Sequence, residues 1–84
     1  MSYEIFVERA ARKALARLSA DAYQRVDNAI EDLAEAPRSP DSIKLSGRPG
    51  YRLRIGDYRI LYAVDDEERV VAVFRVGYRR VVYR

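Results

Sequence analysis

The side chains with most chemical capacity in this chain are arginines and tyrosines gathered in its second half. Arg52, Arg54 and Arg59 flank a Gly56-Asp57 pair, Arg75 follows in the next apolar stretch, and Arg79, Arg80 and Arg84 come last, interleaved with Tyr78 and Tyr83. Arginine is permanently charged and forks onto phosphate through paired donors. Tyrosine adds an aromatic face and a phenol. The chain has no His and no Cys. Composition therefore excludes a histidine base or ligand, a thiolate nucleophile, a disulfide framework and a thiolate zinc site. What the arginines themselves offer is electrostatic stabilisation of an anion.

The charge is unevenly spread. Net charge is +3 over 84 residues, but residues 1–42 carry six basic and eight acidic side chains, and residues 43–84 carry ten basic and five acidic ones. Four of those five acids, Asp65, Asp66, Glu67 and Glu68, form one short run, and fourteen of the sixteen cations are Arg. A basic half rich in Arg and Tyr points to a polyanion partner, most simply nucleic acid. The competing reading is a solubilising surface paired with the acidic half. No apolar run approaches the roughly 20 residues of a membrane span. The first residues carry no basic and apolar leader pattern, so a cytoplasmic location is expected.

The elements that must position these residues follow from pattern. Tyr3-Glu4-Ile5-Phe6-Val7 reads as a short strand. Residues 8–18 are rich in Ala, Leu and Arg and read as a helix. Ser19 can cap a second helix over residues 20–36, in which Tyr23, Val26, Ile30 and Leu33 form one apolar stripe. Pro37 and Pro40 end it, and residues 37–50, with three Pro, two Gly and three Ser, read as a loop. Strands follow at 51–55, 58–64 and 69–76. Gly77 is expected to break the last of these, before a final extended segment from Tyr78 to Arg84. The order predicts a single α+β domain over residues 1–84: an antiparallel meander with an N-terminal strand and a helical hairpin packed on one face.

The Gly56-Asp57 turn fixes a register. With two loop residues, Ile55 faces Tyr58, Arg54 faces Arg59, Leu53 faces Ile60, Arg52 faces Leu61 and Tyr51 faces Tyr62. Side chains alternate along a strand. Tyr51, Leu53, Ile55, Tyr58, Ile60 and Tyr62 therefore share an apolar face beneath the helices, and Arg52, Arg54 and Arg59 share the other. Like charges directly opposite cost up to about 1 kcal/mol. Either acidic side chains of the chain or an external anion must offset that, and the acidic run lies at the far end of the hairpin. Arg79 is positioned to join the basic face, whereas Arg75 could point either way. Lys44, Arg48, Arg80 and Arg84 are further RNA-binding candidates. Tyr51, Tyr58 and Tyr62 are expected in packing, as is Tyr23. Tyr78 and Tyr83, beside Arg79-Arg80, are placed to stack on bases.

These residues resemble a known family. Leu45-Ser46-Gly47, Tyr51-Arg52-Leu53-Arg54-Ile55-Gly56-Asp57-Tyr58-Arg59-Ile60-Leu61-Tyr62, Val76-Gly77-Tyr78-Arg79-Arg80 and Tyr83-Arg84 are similar to the RelE/ParE superfamily of toxins, closest to RelE. The resemblance implies a RelE-like fold and a ribosome-dependent messenger-RNA endonuclease that needs no metal or cofactor, restrained by a cognate antitoxin. It implies catalytic roles for Arg52, Arg54, Arg59, Arg79 and Tyr83, with Lys44, Arg48, Arg75, Tyr78, Arg80 and Arg84 along the RNA path. Arg52 and Arg54 stand where some members carry Lys. The alternatives are a ParE-like gyrase poison and a catalytically decayed RNA- or antitoxin-binding module.

Overall fold

The structure, a computed structural model, describes residues 2–78; Arg79, Arg80, Tyr83 and Arg84 lie outside the described residues. Strand β1 (Glu4–Val7) leads into helices α1 (Arg9–Ala16) and α2 (Ala20–Asp32). Strands β2 (Ser42–Lys44), β3 (Tyr51–Ile55), β4 (Tyr58–Asp65) and β5 (Val70–Tyr78) follow. The sheet order is β1-β5-β4-β3-β2. Strands β2 to β5 form the expected antiparallel meander, and β1 adds in parallel to the outer side of β5.

Local sequence accounts for most of this. Along β1, Ile5 and Val7 turn toward the helices, whereas Glu4 and Phe6 are exposed. That is the period of two expected of a half-buried strand. At the start of α2 the Ser19 hydroxyl oxygen accepts a hydrogen bond from the Ala22 N–H at 3.2 Å, and Asp21 complements the positive helix end. The buried row of α2 is Ala22, Val26 and Ile30, continued by Leu33. Tyr23 is 42% exposed, contrary to its expected place in the stripe. The 22–26–30 row is the one that meets the sheet. The small Ala22 lies inward, and Tyr23, one residue further round the helix, is turned outward. Ala11 and Leu15 of α1 complete the helical side of the core against Leu53, Ile60, Tyr62, Val71, Val73 and Val76.

Three boundaries differ from the sequence reading. The loop at 37–50 contains β2, whose Ser42, Ile43 and Lys44 pair with Leu53, Arg52 and Tyr51. A three-residue edge strand among Pro and Ser leaves too short a pattern to read. Strand β5 continues through Gly77 to Tyr78, because Gly77 and Tyr78 pair with Arg59 and Tyr58. Cross-strand pairing outweighs the weak strand propensity of glycine there. Helix α2 ends at Asp32, and the chain tightens into i→i−3 bonds, such as Ala34 N–H to the Glu31 carbonyl at 3.1 Å.

Two ties hold the segment after α2 to the sheet. The hydroxyl of the fully buried Tyr62 donates to the Pro37 carbonyl at 2.7 Å. Arg38 forms a bidentate pair with Asp66, at 3.1 and 2.8 Å, and donates from Nε to the Tyr51 hydroxyl at 2.9 Å. Tyr3 donates to the same Asp66 at 2.7 Å. Asp66 thereby joins the start of β1, the α2–β2 connection and the β4–β5 turn. Hydrogen bonds from Arg38 and then Tyr3 hold its carboxyl down at about 2.

Gly50, just before β3, has φ +125°, and a Cβ there would stand 2.8 Å from the backbone carbonyl oxygen of Tyr62. Gly50→Ala should therefore destabilise by about 2 kcal/mol or more, read as a lower urea midpoint. The Asp66 pKa is depressed in the folded state. The stability it contributes is present above the ordinary carboxylate range and is lost as pH falls toward about 2. In Asp66→Asn, thermal melts from pH 7 to pH 2 should show lower stability at neutral pH and a flatter fall below pH 4.

Candidate nucleic-acid interface

The hairpin pairs as its loop length requires: Tyr51 with Tyr62, Arg52 with Leu61, Leu53 with Ile60, Arg54 with Arg59 and Ile55 with Tyr58. Gly56 has φ +58° at the first loop position, and Asp57 has ordinary negative φ. That combination is the type II′ geometry whose twist suits a two-residue connection. Leu53, Ile60 and Tyr62 enter the core under the helices. Arg52, Arg54 and Arg59 consequently share the face turned away from them, as expected.

A bulge decides Arg75. Leu61 pairs with Arg75 while Tyr62 pairs with Val73, leaving Phe74 as an extra residue on β5. The shift sends both Val73 and Val76 to the core and places Arg75 beside Leu61 on the arginine face. Gly77 pairs with Arg59, so a residue without a side chain lies opposite that arginine. Ile43 pairs with Arg52 and is exposed. Apolar Leu61 and Ile43 therefore sit among the cations, a mixture that the 51–62 alternation shows only in part. The guanidinium of Arg48 lies 4.9 Å from the centre of the Phe74 ring, a cation–π distance.

The basic trio is not uniformly open. Arg54 is exposed and Arg52 half-buried, and Arg52 and Arg75 each interact with another group of the chain. Arg59 is only 5% exposed, so the three arginines that share this face differ in accessibility. Its Nη1 donates to the carbonyls of Gly56 at 3.3 Å and Tyr58 at 3.0 Å. The turn that sets the register thus also anchors the cation. Arg59 Nε is buried with no hydrogen-bond partner, a state that costs about 1–3 kcal/mol for a polar group.

The acidic run does not neutralise this end of the sheet. Asp65 lies six strand steps beyond Arg59 along β4, about 20 Å at strand rise. That is about two and a half times the screening length at physiological salt. Asp65 caps the β4–β5 turn by accepting from the Glu68 N–H at 3.0 Å, and Asp66 is engaged by Arg38 and Tyr3.

Two candidates fall elsewhere. Lys44 pairs with Tyr51 and so lies on the helix side of edge strand β2. Tyr78 pairs with Tyr58, and the rings stack with centroids 4.8 Å apart, again on the helix side. The structure does not bring either residue onto the face of Arg54 and Arg59. The Tyr58 phenol is raised, first by its hydrogen bond to Tyr78 and then by burial. Among the described residues no group of three or more carboxylates stands ready to hold a metal ion.

With this geometry in view, comparison with known proteins is specific. A family model described as ParE toxin of type II toxin-antitoxin system, parDE, matches residues 5–83. Toxin RelG of Mycobacterium tuberculosis is 37% identical over 62 residues, covering 70% of this chain and 69% of the relative. Among solved structures, the RelBE2 toxin–antitoxin complex of M. tuberculosis superposes with a TM-score of 0.84 at 28% identity, covering 94% of this chain and 100% of that one. The archaeal RelE–RelB complex of Pyrococcus horikoshii gives 0.83 at 30% identity, with 94% and 97% coverage. The intact Escherichia coli RelBE complex gives 0.82 at 29% identity, with 92% and 96% coverage. The family match runs through the whole hairpin that carries Arg52, Arg54 and Arg59, and the chain belongs to the RelE/ParE superfamily of type II toxin–antitoxin toxins.

Proposed function

We propose that residues 1–84 are a single toxin domain that cuts messenger RNA on the ribosome, in the cytoplasm, under the restraint of a cognate antitoxin. The observation that carries this reading is Arg59: a buried cation, anchored to its own turn, with an unpartnered Nε and with Arg54 directly across the strand pair. A phosphate oxygen is a partner that offsets both the orphaned donor and the like-charge pair. The similarity to the named toxins supports the same reading.

The chemistry fits the side chains available. The ribose 2′-OH attacks the adjacent phosphorus and loses its proton. The P–O5′ bond breaks, the 5′ oxygen takes up a proton, and a 2′,3′-cyclic phosphate and a free 5′-OH result. No redox partner or metal is needed for the balance. Arg52, Arg54, Arg59 and Arg79 are the groups that would stabilise the charge that accumulates on the phosphorane, at a few kcal/mol each. Arginine is a poor proton carrier, so proton transfer falls to Tyr83 or to ribosomal and substrate groups. Weak acid–base equipment is consistent with dependence on the ribosome to align the message. Arg48, Arg75, Arg80 and Arg84 extend the basic path. Lys44 and Tyr78 carry it round to the helix side.

Induction followed by primer extension on cellular messages tests the reading. Cuts within translated codons are expected. DNA damage with intact messages would instead establish a gyrase poison, the activity suggested by the ParE name of the matching family model. Arg59→Met separates function from fold. It removes a buried charge with an unmet donor while keeping an unbranched apolar side chain. Stability should be equal or higher by about 1 kcal/mol, while growth arrest and message cleavage are lost.

A further inference from the structure

Gly77 lies inside strand β5, where a glycine weakens the strand and packs against nothing. Its backbone does not need glycine. Gly47, Gly50 and Gly56 have positive φ, and Gly77 does not. The bulge of β5 does not explain it either, because the extra residue there is Phe74. A strand glycine that neither turns nor bulges the chain marks a place where another group approaches the backbone closely.

Two surfaces meet at this residue. Arg54, Arg59 and Gly77 form one row across β3, β4 and β5. Val76 enters the core, so alternation turns the missing side chain of Gly77 toward the arginine face. Arg75 precedes it on that face, and β1 pairs with β5 only as far as Val73, so β1 does not border Gly77. The Arg59 guanidinium donates to the Gly56 and Tyr58 carbonyls, neither of them on β5. Gly77 is only half-buried, and the bare strand leaves an approach to Arg59 from the β5 side. On the helix side Gly77 borders an open groove of about 440 Å³, with Arg17, Ser19, Tyr58 and Tyr78 among its walls. Tyr78 is 56% exposed, and its ring is steadied by stacking on Tyr58. Arg17 supplies a cation, and among the described residues no carboxylate lines the groove. A steadied aromatic ring beside a cation is a platform for a nucleobase.

We propose that RNA crosses the end of the sheet at Gly77, with one phosphate seated against the bare strand beside Arg59 and the adjoining base turned into the groove to stack on Tyr78. A nucleotide satisfies both surfaces at once, its phosphate meeting cations on one and its base meeting a ring on the other. The inference rests on the message-cutting reading. It adds the place where the strand crosses and a contact that selects the base there.

The test follows cleavage of a defined message on purified ribosomes by the purified full chain, with kcat and KM for the ribosome measured separately. Gly77→Ala and Gly77→Val place a side chain where the backbone accepts one, so melting temperatures should equal or exceed that of the wild type. Their kcat should fall about tenfold and about a hundredfold, with KM unchanged. Tyr78→Ala should lower the rate about tenfold and change the base preferred beside the cut, and Tyr78→Phe should restore both. Wild-type kcat in both glycine variants overturns the crossing point. Lowered melting temperatures in both also overturn it, since they assign the glycine to packing within the fold. Wild-type rate and base preference in Tyr78→Ala overturn the base contact. Intact messages with the wild-type chain overturn the proposal together with the nuclease reading.

Discussion

A two-residue turn governs the chemistry of this molecule. Gly56, with its positive φ, closes the β3–β4 hairpin so tightly that the register has no freedom. That register sends Leu53, Ile60 and Tyr62 into the core and leaves Arg54 facing Arg59 on the other side. A slip of one residue would invert both faces at once, burying cations under the helices and exposing the core. Hydrophobic burial and charge presentation are therefore one constraint. The turn does a second service, because the Gly56 and Tyr58 carbonyls hold the Arg59 guanidinium in place.

The arrangement sets local stability against function. A like-charged cross-strand pair and a buried, unpartnered donor both disfavour the free fold. Asp57 sits in the hairpin turn itself, whereas Asp66 binds Arg38 and Tyr3 and Asp65 caps a turn, about 20 Å from the hairpin tip at ordinary strand rise. Asp66 thus ties the ends of the sheet and the α2–β2 connection together.

The sequence alone determined the hairpin register, the division of its faces and the toxin superfamily, because a two-residue loop with glycine leaves one pairing and strand alternation then assigns every side chain. It also determined the helical hairpin, through an N-cap serine and a 3.6-residue stripe. Only the tertiary structure decided the rest. Arg75 belongs to the arginine face because a bulge at Phe74 breaks the alternation, and a continuous apolar run contains no sign of where an extra residue will be expelled. Gly77 stays in its strand because β4 pairs with it, and Tyr23 leaves the core because Ala22 permits closer packing. The burial of Arg59 is likewise beyond strand alternation, which assigns a face but not an exposure. Each depends on contacts between segments distant in sequence, and such contacts override local propensity when they satisfy backbone groups and bury more apolar surface.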